Sequence, residues 1–210
     1  MELITHTAPK QGISFLVIKN LYSQNELFLI QKELDFLWSS LAFSRDEDYL
    51  NVAKLDDGSI LGKRSGVWLD FFYNKRESSS ILRLNRKPFS DDTIRNTFAN
   101  LNPYHFHYLK LDYDNTLLQY YENSDYYKPH TDHSMFSLVT WFHKDPKKFT
   151  GGNFKFTDLD YTIEIENNMC VIFPSFLWHE VEEIKITETS KYEPNGRFSM
   201  TQFVVYNPTK

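Results

Sequence analysis

Near the middle of the 210-residue chain stands Tyr126-Tyr127-Lys128-Pro129-His130-Thr131-Asp132-His133. In an extended strand successive side chains point to opposite faces, so His130 and Asp132, two apart, project to the same side. An imidazole and a carboxylate then converge on one point. That is two-thirds of the facial arrangement of two histidines and one carboxylate, which holds a non-haem Fe(II) and leaves other coordination positions open. The third ligand has to come from elsewhere in the chain. A second His-x-Asp, His143-Lys144-Asp145, has a different context. It follows the apolar run Leu138-Val139-Thr140-Trp141-Phe142 and leads into Pro146-Lys147-Lys148, where proline and charge mark a strand leaving the core. His143 is therefore expected to be an ordinary surface residue.

The distant partner is sought where another histidine begins or ends a core strand. His179 follows a proline-punctuated turn between two apolar runs, in Val171-Ile172-Phe173-Pro174-Ser175-Phe176-Leu177-Trp178-His179-Glu180-Val181. Nothing in core packing asks for a histidine there. Further on, Gly196-Arg197-Phe198-Ser199-Met200-Thr201-Gln202-Phe203 reads as a strand in which Arg197 and Ser199 share a face. A guanidinium among apolar strands needs an anion, and its planar fork suits a carboxylate. No acidic residue stands at obvious register in the core strands, which leaves the substrate as the partner. His105 and His107 also alternate on one face of a strand-like run. No carboxylate accompanies them at matching spacing, so they read as strand histidines at the edge of the core or at its surface.

The elements that must position these residues are mostly short β-like runs, at 117–121, 127–132, 136–142, 152–156, 161–165, 169–173, 178–184 and 197–206. Such runs, spaced by turn residues, predict a sandwich, barrel or jelly roll. The preceding part is mixed. A β-like run at 13–18 leads into a helix opened by the capping box Ser23…Glu26, with Leu27, Ile30, Leu34, Leu37 and Trp38 on one face. Residues 67–73 look strand-like, and Ser90-Asp91-Asp92 caps a short helix reaching about Asn100. The polar, acidic stretch 44–59 reads as a solvated loop, with a mobile lid as the alternative. Fold class is thus mainly β with flanking helices. The chain is expected to be one domain over 1–210, with 1–114 as a helical and mixed support and 115–207 as the catalytic core.

Composition narrows the function classes. With 41% hydrophobic and 17% aromatic residues the chain is not disordered. A net charge of -5 gives no electrostatic footprint for nucleic acid. The single cysteine, Cys170, reads as a buried, inert thiol in a cytoplasmic, reducing setting. The opening residues carry no signal-peptide pattern, and no segment approaches the ~20 apolar residues of a membrane span.

Taken in order, His130-x-Asp132, Gly151-Gly152-Asn153, Phe173-Pro174, Trp178-His179-Glu180-Val181 and Gly196-Arg197-Phe198-Ser199 resemble the prolyl 4-hydroxylase-like branch of the Fe(II)- and 2-oxoglutarate-dependent dioxygenases. The resemblance covers about residues 115–207. It implies a double-stranded β-helix, a jelly roll whose mouth holds the iron, with His130, Asp132 and His179 as ligands. Arg197 would bind the distal carboxylate of 2-oxoglutarate, with Ser199 as a helper. A tyrosine upstream of the first ligand, Tyr121 or Tyr120, would contact the cosubstrate, with Tyr127 as a second candidate. A tyrosine frequent elsewhere in the family is replaced by Trp141. The cofactors implied are Fe(II), 2-oxoglutarate and O2, and the resemblance admits ascorbate as an accessory reductant. The implied reaction hydroxylates a C–H of a prolyl, peptidyl or small amino-acid-like substrate with release of succinate and CO2. Aromatic residues expected near the mouth, Tyr126, Tyr127, Trp68 and Trp178, would suit a proline ring or peptide, or simply pack the β core. Two rivals are a nucleic-acid demethylase of the same superfamily, which would carry an arginine where this chain has Phe203, and a non-catalytic cupin-like binding protein.

Overall fold

A computed structural model describes residues 1–8, 12–188, 190 and 192–207. Fourteen strands lie among them: β1 Glu2–Ala8, β2 Ile13–Lys19, β3 Gly62–Lys63, β4 Ser65–Trp68, β5 Tyr113–Tyr121, β6 Tyr126–His130, β7 Phe136–Phe142, β8 Phe149–Gly151, β9 Phe154–Phe156, β10 Tyr161–Ile163, β11 Met169–Pro174, β12 His179–Val181, β13 Ile184–Ile186 and β14 Arg197–Val205. They form a seven-stranded sheet in the order β1-β2-β11-β7-β14-β5-β4, a five-stranded sheet in the order β10-β9-β12-β6-β3, and the pair β13-β8. Pairing is antiparallel throughout. This is the jelly roll expected from the sequence.

Strands β7 and β11 of the larger sheet are buried along their whole length, which explains why they are nearly continuous apolar runs. Along β14, Phe198, Met200 and Val204 face a core shared with the helices. The alternate side chains Ser199, Thr201 and Phe203 face the space between the sheets. The same alternation sends Leu118 and Tyr120 of β5 to the helical side and Leu117 and Tyr121 to the inter-sheet side. The helical side is closed by α1, Gln24–Ser39, whose capping box on Ser23 and Glu26 forms as the sequence suggests. Ile30, Leu34 and Leu37 of α1 are fully buried, each stabilising by roughly 1.5–3 kcal/mol. The helix Asp92–Ala99 starts on an Asp91 cap.

Several elements differ from their sequence-based reading. Glu2–Ala8, unread in the sequence, pairs along its whole length with β2. The run 67–73 is a strand only to Trp68, and Leu69–Phe72 is one turn of helix. Pro103–Lys110 is a 3₁₀ helix, not a strand. Its Asn102 cap accepts from the Tyr104 amide, a start that outweighs the period-two pattern. His105 turns into the core and stacks on Phe98 at 4.3 Å, while His107 bonds Tyr206 at 2.6 Å. The run 178–184 divides into β12 and β13, which belong to different sheets. Within 44–59 the backbone is held by isolated bridges, Ser44 to Gly66 and Lys54 to Ile60. Among the described residues no helix is long and apolar enough to cross a membrane.

Candidate metal centre and cavity

His130 ends β6 and His179 begins β12, directly opposite each other in the five-stranded sheet. Asp132 lies just past the end of β6, not within the strand. Its backbone amide donates to the Ser175 carbonyl at 3.0 Å, which folds the chain back so that the carboxylate meets both rings. One ligand atom from each residue lies within 4.8 Å of the other two. His130 Nε2 is 3.9 Å from Asp132 Oδ1, and His179 Nε2 is 3.7 Å from Asp132 Oδ2.

The surroundings fix the tautomers. His130 Nδ1 donates to its own strand's Lys128 carbonyl at 2.9 Å, and His179 Nδ1 to the Leu177 carbonyl at 2.8 Å. Both Nε2 lone pairs are then directed at the centre, the support that metal-binding histidines ordinarily have. Burial, with His179 adding to it, pushes the His130 pKa down to about 2, so its imidazole is neutral. Packing holds the ring planes. Tyr127 stacks on His130 at 3.7 Å, and Phe154 and Phe173 flank His179 at 5.2 and 5.0 Å. Asp132 Oδ2 accepts from Ser137 Oγ at 2.5 Å. Two imidazoles with Nδ1 engaged and one carboxylate, pre-oriented by these contacts, are a donor set that fits Fe(II).

Arg197 starts β14 opposite Tyr121 of β5. The approach is close because the preceding residue is Gly196, where a Cβ would collide with the Tyr121 carbonyl. The guanidinium is fully buried and lies 4.4 Å from the centre of the Tyr121 ring. Nη1 donates to the Gly152 carbonyl at 2.6 Å, from the Gly151-Gly152 turn noted in the sequence. Among the described residues Nε and Nη2 are buried without a hydrogen-bond partner, as is the indole Nε1 of Trp141. Trp141 stands opposite Ser199, two residues along β14. Burial lowers the Arg197 pKa to about 10, so it stays charged at neutral pH. The acid present in β5, Asp114, is at the far end of the strand and pairs with Arg86 at 2.7 Å.

A cavity of about 580 Å³ opens beside the three ligands, within the size range of small-molecule sites. Gln119, Tyr121, Tyr127, Ser199 and Phe203 contribute to its walls. Tyr121 directs its hydroxyl to Gln119 at 3.3 Å, whereas Tyr120 faces the other core and accepts the Gly196 amide at 3.0 Å. Strand alternation therefore puts Tyr121, and not Tyr120, on the cavity side. Of the four aromatics expected near the mouth, Tyr127 and Trp68 line the cavity. Residues 47, 48 and 50–54 form part of its rim, and Ala53 donates its amide to the Tyr127 hydroxyl at 2.9 Å.

His143 is corrected to a buried residue. It ends against Phe149 and its ring nitrogen bonds the Lys144 carbonyl at 3.0 Å, since the chain curls back after β7 instead of leaving the core. It lies outside the metal-ligand cluster. Cys170 is buried, and burial raises its pKa to about 12. Two residues of the site escaped the sequence reading. Ser137 offered a signal as the polar residue between Phe136 and Leu138. Arg64 offered little, because Lys63-Arg64 looks like any exposed basic pair.

Residues 116–205 match the model of the 2OG-Fe(II) oxygenase superfamily. No curated protein matches the chain. Among solved structures, a Pseudomonas putida prolyl-4-hydroxylase is similar at 13% identity and TM-score 0.56, covering 92% of each chain. The viral collagen prolyl hydroxylase of Paramecium Bursaria Chlorella virus-1, solved with 2OG, is similar at 12% identity and TM-score 0.52, over 92% of this chain and 96% of that one. A Trichoplax adhaerens prolyl hydroxylase, in complex with a hypoxia inducible factor oxygen degradation domain peptide fragment, is similar at 13% identity and TM-score 0.56, over 91% of this chain and 83% of that one. Over residues 116–205 the chain is thus similar to the 2OG-Fe(II) oxygenase superfamily, whose enzymes use Fe(II), 2-oxoglutarate and O2, and it shares the fold of these hydroxylases.

Proposed function

We propose that this protein is an Fe(II)- and 2-oxoglutarate-dependent oxygenase that hydroxylates an unactivated C–H of a prolyl, peptidyl or small amino-acid-like substrate. Each turnover consumes one O2 and one 2-oxoglutarate; one oxygen atom enters the product, the other enters succinate, and CO2 leaves. The observation that carries the reading is the convergence of His130 Nε2, His179 Nε2 and the Asp132 carboxylate within 4.8 Å of one another. These three residues hold the iron. Arg197, whose buried Nε and Nη2 lack partners, takes the distal carboxylate of the cosubstrate, with Ser199 and Tyr121 beside it. Tyr127 contributes through its ring, which is stacked on His130.

Fe(II), when bound, supplies O2 activation coupled to decarboxylation of the cosubstrate. The protein's share is orientation and exclusion of water. The two imidazoles and a carboxylate held by Ser137 present lone pairs at a fixed point, and residues 47, 48 and 50–54 line the cavity beside them. We read 1–114 as support and 115–207 as the catalytic core of one domain, acting in the cytoplasm on a peptide or small molecule. One of the similar structures holds a peptide, which supports the peptidyl option. Phe203 at the position of a demethylase arginine, and the net charge of -5, weigh against nucleic acid.

The test is succinate release screened over peptide and amino-acid pools, with mass spectrometry for a gain of one oxygen. Anaerobic Fe(II) plus 2-oxoglutarate should first give the weak visible charge-transfer band of the chelate. Its absence in the wild-type protein would reject the proposal.

A further inference from the structure

Arg64 lines the cavity and exposes 4% of its surface. Its Nε and Nη1 are buried without a hydrogen-bond partner, and no carboxylate pairs with it among the described residues. A guanidinium stays charged at any physiological pH. Burying one without an anion is costly, and a ring face offsets only part of that cost. The Tyr127 ring lies 4.3 Å from it.

The position is rigid. Arg64 is the single residue between β3, paired with β6 in the smaller sheet, and β4, paired with β5 in the larger. Gly62, two residues before it, lies under the Tyr127 ring, where a Cβ would come within 2.6 Å of Cδ2. That close approach keeps the ring between the chain crossing and His130. Two guanidiniums thus flank the site, each against a tyrosine: Arg197 on Tyr121 and Arg64 on Tyr127. Arg197 is fully buried, whereas Arg64 forms part of the cavity wall.

A dicarboxylate cosubstrate has one carboxylate for the metal and one for Arg197, which leaves Arg64 without an anion. We propose that Arg64 binds the carboxylate of the primary substrate, and that this substrate is a free α-amino acid. The inference rests on the hydroxylase reading above and narrows it. The planar fork suits a carboxylate. On the rim Asp48 is paired with Lys54 at 2.7 Å, and Glu47 is the acid that opposes a multiply charged phosphate and favours a group bearing an ammonium.

The experiment uses the full chain loaded with Mn(II), which does not turn over, and saturated with 2-oxoglutarate. The twenty L-amino acids and their primary amides are titrated by calorimetry. At least one acid should bind, with its amide weaker by about 30-fold or more, the usual loss when a buried charge is left unpaired. Arg64→Gln should weaken that acid by a similar factor and leave 2-oxoglutarate affinity within about threefold. Arg64→Lys, the safeguard should the glutamine variant misfold, should retain part of the affinity. Binding of no amino acid, equal binding of acids and amides, or unchanged amino-acid affinity in both variants would overturn the proposal. So would a loss of 2-oxoglutarate binding in Arg64→Gln, which would make Arg64 an anchor of the cosubstrate. Failure of the wild type to bind 2-oxoglutarate would instead reject the hydroxylase reading.

Discussion

Ser137 Oγ donates to Asp132 Oδ2 at 2.5 Å and also lies 2.8 Å from Ser175 Oγ, which in turn meets Ser134 Oγ at 2.6 Å. The carboxylate of the metal centre is thus oriented by a buried hydroxyl relay rooted in β7. Second-layer contacts of this kind typically change metal affinity 10- to 100-fold. Ser137→Ala should therefore lower Fe(II) affinity by about 10-fold or more with the fold intact. Anaerobic iron titration with a circular-dichroism control measures both, and unchanged affinity would make the relay a packing feature.

Metal binding should depend on His130, Asp132 and His179 and not on His143 or Asp145. The second pair lies outside the cluster, with Asp145 exposed. Alanine at any of the first three should abolish tight Fe(II) binding, and alanine at either of the other two should leave it within about twofold, the spread expected for a site remote from the change. Normal iron affinity in His130→Ala would sink the assignment.

His105 gives the fold a calculable acid sensitivity. Burial holds its pKa at about 4 in the folded protein, against 6.5 for an ordinary imidazole. Between these values the unfolded chain binds more protons, so this part of the stability is complete above pH 6.5 and is lost as pH falls toward 4. Urea titrations across that window should show the decline, to which His130 also contributes, and His105→Phe, keeping the stack on Phe98, should reduce its slope. A decline of equal slope in the variant would assign it to other groups.

How much of this was readable follows from what each residue needs. The core strands could be found because β7 and β11 are apolar on both faces and β14 on one, and the α1 start because Ser23 and Glu26 sit at the one spacing that closes a capping box. His130 showed itself by its spacing from Asp132, and His179 as a polar residue where packing asked for none. Pro103–Lys110 was misread because alternation of His105 and His107 mimics a strand, while the deciding interaction is a single Asn102 cap. The burial of His143 depends on the chain curling back after β7, a tertiary event with no local mark. Arg64 was invisible for a similar reason, since its burial is created by pairing of β3 and β4 with strands some sixty residues away in the chain.

The stretch 44–59 should gain order when ligands bind, because residues 47, 48 and 50–54 line the cavity and Ala53 is tied to Tyr127, which stacks on a metal ligand. Amides 46–54 should exchange about 10-fold more slowly with Mn(II), 2-oxoglutarate and substrate bound, equivalent to ~1.4 kcal/mol of added local stability. The stretch 185–195 is expected to respond in the same way, although Thr189 and Lys191 lie outside the described residues. Unchanged exchange under saturating ligand would reduce both stretches to connectors.

Arg197 should be the residue on which cosubstrate affinity depends most steeply. Its Nη1 is already engaged by the Gly152 carbonyl at 2.6 Å, which fixes the plane of the guanidinium, while Nε and Nη2 remain free to donate. Leaving a buried charge unpaired typically costs ~2–5 kcal/mol, so Arg197→Ala should weaken 2-oxoglutarate binding by about 30-fold or more while iron binding changes little. Arg197→Lys should recover only part of the loss, since it keeps the charge without the two-pronged geometry. Trp141→Phe tests the third unpartnered donor. If the indole N–H completes the carboxylate site, its removal should cost a further ~0.5–1.5 kcal/mol, about 2- to 12-fold in affinity. The readout is calorimetric titration of the Mn(II)-loaded protein with 2-oxoglutarate, beside thermal melting without ligand. Should Arg197→Ala bind 2-oxoglutarate as well as the wild type does, the carboxylate is held elsewhere. Should it instead lose its fold while 2-oxoglutarate fails to stabilise the wild type, Arg197 is structural.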